Sequence, residues 1–183
     1  MIGGHELMTH LCEIRKVEVV DAQLISGLVD TLVDCVEGGA SVSFMHPLTP
    51  DRAQAFWQRV AEGVNRASRA LIVAEDASGV CGTVQLLLEH PENQPHRADV
   101  AKMLVHRRAR RLGLGAALVR KAEEVARELG KTLLVLDTVT GSDADRLYRR
   151  MGWVAVGDIP GYALFPRGGI CSTTVFYRDL KES

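Results

Sequence analysis

Residues 100–116 read Val100-Ala-Lys-Met-Leu-Val-His-Arg-Arg-Ala-Arg-Arg-Leu-Gly-Leu-Gly-Ala116, and this stretch decides the fold. Its first six residues have the length and apolar content of a strand. A basic turn follows. Gly113-x-Gly115 then opens an amphipathic helix that runs to Leu129, with Leu114, Leu118, Ala122, Val125, Ala126 and Leu129 on one side. Gly130 stops it. At such a helix start the first main-chain N–H groups have no intrahelical partner, and the helix dipole adds partial positive charge. Glycines allow close approach of a ligand, and Arg108, Arg110 and Arg111 add full charge, so the turn suits a pyrophosphate. Two common phosphate motifs are excluded: no Gly-x4-Gly-Lys-Ser/Thr occurs, and Gly-x-Gly-x-x-Gly fails because residue 118 is leucine. The other reading of the same residues is a glycine turn beside a solvated arginine face.

Working outward, the strand extends back to Arg97, and a loop with two prolines, His90 to His96, precedes it. Ala70–Glu75, the turn Asp76–Gly79 and Val80–Glu89 read as a β-hairpin. Before it, Thr49-Pro50-Asp51 starts a helix reaching about Asn65, with Thr as N-cap and Pro at the first helical position. An earlier helix begins at Asp21. Its Leu24, Leu28, Leu32 and Val36 repeat at i+4, and Gly38-Gly39 ends it. Cys12–Val20 alternates as a first strand, and residues 1–11 read as a flexible end. Downstream, Thr132–Val139 is a near-continuous apolar run, as in a strand covered on both faces. Ser142–Met151 reads as a short helix, Trp153–Gly157 as a short strand, Asp158–Ala163 as a turn and Thr173–Leu180 as a final strand. The order is β-α-α-β-β-β-α-β-α-β-β, a mixed sheet with helices packed on it.

At 183 residues the chain suits one domain, here 12–183, large enough to bury a core without staples. A net charge of −1 gives no general case for nucleic acid or an anionic membrane, so any anion site must be local. Cys12, Cys35, Cys81 and Cys171 form no Cys-x-x-Cys pair and have no His at zinc spacing, and His46, His96 and His106 form no ligand set. They read as reduced, largely buried thiols, with no metal expected. No secretory signal or spanning stretch is present, so a soluble cytoplasmic protein is expected.

Arg110-x-x-Gly113-x-Gly115-Ala116 resembles the Gln/Arg-x-x-Gly-x-Gly/Ala signature of the GNAT N-acetyltransferases. Ala144-x-x-Leu147-Tyr148-x-x-x-Gly152-Trp153 resembles their second signature, Ala-x-x-Leu-Tyr-x-x-x-Gly-Phe. Both occur in the family's order, and the likeness covers residues 12–180. Gly38–Met45, Arg97–Val105, Leu136-Asp-Thr138 and Pro160-Gly-Tyr162 are similar to segments of the tabtoxin-resistance-type acetyltransferases, which acetylate a small toxic amino acid. The resemblance implies an α/β GNAT fold, with a mixed, mostly antiparallel, twisted sheet of about seven strands flanked by about four helices. It implies acetyl-CoA as co-substrate, a small-molecule amine as acceptor and, by analogy, a homodimer.

It also implies roles. Main-chain donors for the CoA pyrophosphate are Arg111, Leu112, Gly113, Leu114, Gly115 and Ala116. Arg110 belongs to the same signature, and the main chain of Met103, Leu104 and Val105 would hold the pantetheine arm. The strand carrying them splays from Thr132–Val139 to admit the thioester. Tyr148 matches the tyrosine near the CoA sulfur and would protonate the leaving thiolate; a core tyrosine is the other reading. Asp99 and Asp137 are the candidate bases, with Asp137 slightly favoured. Where many members carry Asn this chain has Gly141, so a main-chain group or Ser142 would take over. The acceptor pocket is expected from Ala40–Leu48 and Asp158–Ala163, with Ser41, Phe44 and Tyr162 lining it, although Phe44 and Met45 could instead plug the core. The absence of acid in Ala40–Leu48 weakens an aminoglycoside acceptor. A non-catalytic acyl-CoA sensor, or transfer to a protein or polyamine amine, are the alternatives.

Overall fold

The computed structural model describes residues 12–181; the expected loose segment 1–11 lies outside them. Seven strands form one sheet: β1 Glu13–Lys16, β2 Arg69–Asp76, β3 Gly79–Leu87, β4 Arg97–Val105, β5 Leu133–Val139, β6 Val154–Leu164 and β7 Ile170–Asp179, ordered β1-β2-β3-β4-β5-β7-β6. Only β4 and β5 pair in parallel. Four α-helices cover the sheet: α1 Ala22–Glu37, α2 Pro50–Asn65, α3 Leu114–Glu128 and α4 Asp143–Arg150. No helix among the described residues is long and apolar enough to cross a membrane.

Period-2 alternation sorts the core into two layers. Ala70, Ile72 and Ala74 of β2 pack under α3, while Leu71 and Val73 join Leu28, Leu32 and Trp57 of α1 and α2 on the opposite face. The helix starts follow the capping chemistry. Asp21 accepts from the Leu24 N–H at 2.8 Å, Thr49 accepts from the Arg52 N–H at 3.4 Å, and Pro50 stands at the first position of α2.

The second signature is a helix-ending device. Gly152 has φ +79°, the left-handed conformation that glycine adopts without steric cost. Its N–H donates to the Arg149 carbonyl, and the Trp153 N–H donates to the Tyr148 carbonyl. This reversal folds the Trp153 ring back to 5.3 Å from that of Tyr148. The Trp153 indole N–H has a buried partner there, the Glu123 carboxylate of α3 at 2.9 Å.

Three element bounds depart from the sequence reading. β1 spans Glu13–Lys16 rather than Cys12–Val20, because the chain leaves the sheet after Val17 to reach the Asp21 cap. The expected short strand Trp153–Gly157 and turn Asp158–Ala163 are a single strand, β6, of 11 residues. Its Pro160 and Gly161 read locally as a turn, but β6 is an edge strand, where a missing N–H and a bulge are both tolerated. The register runs from Ile159 opposite Thr173 to Ala163 opposite Cys171, so residues 160–162 bulge out. β7 correspondingly begins at Ile170, not Thr173.

Candidate active site

The site begins with a fault in the sheet. β4 and β5 pair over three positions only, Arg97 to Asp99 against Leu133 to Val135. Against β3, Thr83 faces Leu104 but Gln85 faces Ala101, so β4 carries one extra residue in this interval. Within it Lys102 has φ +51°. A bulge bends and twists its strand. Past Asp99, β4 and β5 separate.

A cavity of about 430 Å³ lies at the separation. Val100 to Met103 and Leu136 to Val139 form its walls, Ala144 and Tyr148 of α4 contribute, and Ser41 to Met45, whose Ser41 Oγ donates to the Leu164 carbonyl at 3.0 Å, complete the lining with Tyr162 to Leu164 and Cys171 to Thr173. Tyr148, Asp137, Ser41, Phe44 and Tyr162, which lie far apart in sequence, thus line one space. Phe44 also meets the Phe56 ring at 5.3 Å, so it serves both cavity and core edge, whereas Met45 is exposed.

Tyr148 is 3% exposed, held between Trp153 and Phe176. Burial pushes its phenol above the ordinary value, so the hydroxyl stays protonated across the physiological range. Asp137 is exposed in the cavity wall, with Thr173 Oγ1 at 3.1 Å from its Oδ2. Asp99 is not part of the lining. Its Oδ2 faces Arg97 at 3.3 Å, and its buried Oδ1 has no partner among the described residues, leaving it free to take a water.

At the turn, a short 3₁₀ segment Arg107–Ala109 leads into residues 110–113. Arg111 and Gly113 both have left-handed φ, at +62° and +77°. Gly113 caps α3 with no side-chain bond, and the N–H groups of residues 111–116 have no partner among the described residues. Six consecutive unpaired donors next to a helix N-terminus fit the phosphates of a CoA-type ligand. Met103 lines the cavity, and the Val105 carbonyl accepts from Arg110 Nε at 3.0 Å.

The arginines act differently from expectation. Arg108 donates to Asp76 at 3.0 Å and to the Gly79 and Val80 carbonyls, which ties the turn to the β2–β3 hairpin. Arg107 binds Asp34 of α1 through its main-chain N–H at 2.8 Å and Nε at 2.7 Å. Arg110 folds back on β4. Arg111 alone of this cluster has no side-chain partner among the described residues. Ser142 is likewise occupied, capping α4 by accepting from the Asp145 N–H at 3.1 Å, while Asp145 accepts from the Gly141 N–H at 2.6 Å.

The Asp34 tie has a consequence for acid stability. Burial alone would raise the Asp34 carboxyl, but the Arg107 main-chain and guanidinium donors outweigh it and hold it below 3.8. A depressed folded value contributes stability above the unfolded value, and that contribution is lost as pH falls through the folded value. Thermal melts should therefore show Asp34→Asn less stable than wild type at pH 7, with the two converging below about pH 3.8.

Two residues escaped the sequence reading. Lys102 and Cys171 both line the cavity. The available signal for Lys102 was a lone cation inside an apolar strand run. Cys171 gave none. The cysteines, distant in sequence, also meet elsewhere: Cys12 and Cys81 sulfurs lie 3.6 Å apart, with Asp76 adjacent.

The comparisons agree with this geometry. The model of the acetyltransferase (GNAT) family matches residues 36–153, well over half of the chain. Among solved structures, yncA of Salmonella typhimurium, a candidate acetyltransferase determined with its cofactor acetyl-CoA, superposes with a TM-score of 0.76 at 18% identity, covering 94% of this chain and 96% of that one. A candidate phosphinothricin N-acetyltransferase gives 0.75 at 20% identity over 93% and 99%. The ribosomal-protein-alanine N-acetyltransferase of Brucella melitensis gives 0.74 at 22% over 91% and 99%. At such identities the likeness is one of fold, and the last two neighbours are named for different acceptors. With the family model, the two signatures and the open donor turn in agreement, the chain belongs to the GNAT family of acetyltransferases.

Proposed function

We propose that this protein transfers the acetyl group of acetyl-CoA directly to the primary amine of a small molecule, in the manner of the tabtoxin-resistance-type acetyltransferases. One observation carries the reading: Tyr148 and Asp137 line the same cavity, opened by the separation of β4 from β5, and Leu147, the neighbour of Tyr148 in α4, packs against Gly115 of the turn whose six N–H donors have no partner among the described residues. Acetyl-CoA supplies the activated acyl group. Residues 111–116 would bind its pyrophosphate, and the free edge of β4 beyond Asp99 would hold its arm.

An amine of pKa near 9–10 is mostly charged at pH 7 and must lose a proton before attack. Asp137, exposed in the cavity, accepts that proton. Asp99 stands outside the lining and would act only through water. Tyr148, kept protonated by burial, supplies the proton that the departing sulfur requires. A homodimer through the free edge of β6, which exposes Val154, Val156 and Ile159, belongs to the same proposal.

Direct transfer excludes an acyl-cysteine. Burial raises the Cys35 thiol, and burial with the neighbouring Cys12 raises Cys81 to about 12, so neither is a ready nucleophile. Cys171 is the one cysteine lining the cavity. Cys171→Ala should keep turnover within a few-fold; its loss in a folded, CoA-binding variant would point to a ping-pong route. The reading itself is tested by following free thiol after adding acetyl-CoA to a panel of amines. Amine-dependent release supports it, and CoA binding without release on any amine would instead indicate a sensor.

A further inference from the structure

We propose that Lys102, held by Ser43, forms an anion subsite within the acceptor cavity, and that it takes a carboxylate carried by the acceptor amine. The proposal rests on the N-acetyltransferase reading and deepens it by naming the acceptor class.

The backbone gives the first argument. Four non-glycine residues among those described have positive φ: Ser43, Ala67, Lys102 and Arg111. Ala67 is accounted for by the end of α2, where its N–H donates to the Val64 carbonyl. Arg111 lies in the donor turn. The other two touch each other: Lys102 Nζ donates to Ser43 Oγ at 3.0 Å, and both line the cavity. A left-handed position favours glycine, and a side chain persists there only when its surroundings demand it. At residue 102 the backbone requires no side chain. The ammonium in the cavity is what glycine would lack.

Charge gives the second argument. Among the described residues of the lining, Lys102 is the one basic side chain and Asp137 the one carboxylate. The cavity therefore presents one cation and one anion. Burial lowers the affinity of Lys102 for its proton, and Asp137 works against that shift. One of the three ammonium donors goes to Ser43, leaving two for a ligand. An acceptor with an ammonium and a carboxylate satisfies both groups at once. A polyamine or aminoglycoside would set a further ammonium against Lys102 and find only one carboxylate. The Phe56 ring, which is not part of the lining, lies 5.9 Å from Nζ.

The test uses matched triplets of α-, β- and γ-amino acids, their amides and their decarboxylated amines. Direct binding is measured by calorimetry, and turnover by thiol release, for wild type, Lys102→Met, Lys102→Arg and Lys102→Gly. The expected result is that removing the carboxylate costs wild type at least 10-fold in affinity and in kcat/KM. In Lys102→Met the acid and its amide should become nearly equivalent, while Lys102→Arg should retain the preference in part. Lys102→Gly, which suits the left-handed backbone, should melt no lower than wild type and still bind CoA, so its loss of carboxylate preference would not reflect misfolding. Equal affinity of wild type for acid and amide, or no carboxylate-dependent binding anywhere in the panel, overturns the subsite. Turnover on carboxylate-free amines with equal efficiency overturns it while leaving the acetyltransferase reading intact.

Discussion

Tyr148→Phe should lower kcat by about 10²- to 10⁴-fold, the range of a positioned general acid, with KM for acetyl-CoA changed no more than a few-fold. The substitution is clean because of where the hydroxyl lies. The ring packs against Trp153 and Phe176, contacts that phenylalanine keeps, and the hydroxyl has no hydrogen-bond partner among the described residues. The melting temperature should therefore stay at or slightly above that of wild type, which separates a chemical effect from a structural one. Burial raises the phenol, so ionisation of Tyr148 should not define the alkaline limb of the wild-type rate up to about pH 9. Unchanged kcat would mean that the departing thiolate draws its proton from solvent and that Tyr148 serves only as the cavity wall.

The largest stability effect is expected at Phe176. This β7 residue is fully buried, faces Leu136 in register, supports the Tyr148 ring at 5.9 Å and lies under the Arg149 guanidinium at 5.2 Å. Phe176→Ala should cost about 3–5 kcal/mol, since the sheet on one side and α4 on the other leave little room for collapse. In a chain of this size each kcal/mol moves the melting temperature about 2–4 °C, so a fall of about 6–20 °C is expected. Arg149 also binds Asp145 at 2.6 Å, and Asp145 in turn accepts from the Gly141 N–H. Losing the ring beneath Arg149 should thus loosen the start of α4, and catalysis at 25 °C should fall further than the folded fraction accounts for. A loss under about 2 kcal/mol would mean that Tyr148 and Trp153 close over the void.

Tyr148 and the chain reversal that positions it share one motif, and Phe176 of β7 supports it from outside. Tyr148 belongs to the last turn of α4, and Gly152-Trp153 reverses the chain so that Trp153 returns to its side and anchors on Glu123 of α3. A local capping geometry therefore ties the proposed acid to the helix that begins at the donor turn. That link brings the two short signatures, separated in sequence, together in the fold.

Much of the molecule was legible before folding because it is written in local terms. Helix caps at Asp21 and Thr49, the 3.6-residue stripe of α3, and the strand–turn–helix passage around Gly113 each depend on residues within one or two turns. The free N–H groups follow from that passage, since no side chain caps the helix. Tertiary structure decided the rest. β6 looked like a strand and a turn until its place at the sheet edge made Pro160 and a three-residue bulge acceptable. Asp99 and Asp137 were equivalent by residue type; pairing assigns Asp99 to the last rung joining β4 to β5 and Asp137 to the gap beyond it. Lys102 gained its place from one extra residue in β4. Because strand side chains alternate with period two, a single inserted residue redirects everything beyond it, and sequence carries no local mark of which partner strand will impose that register.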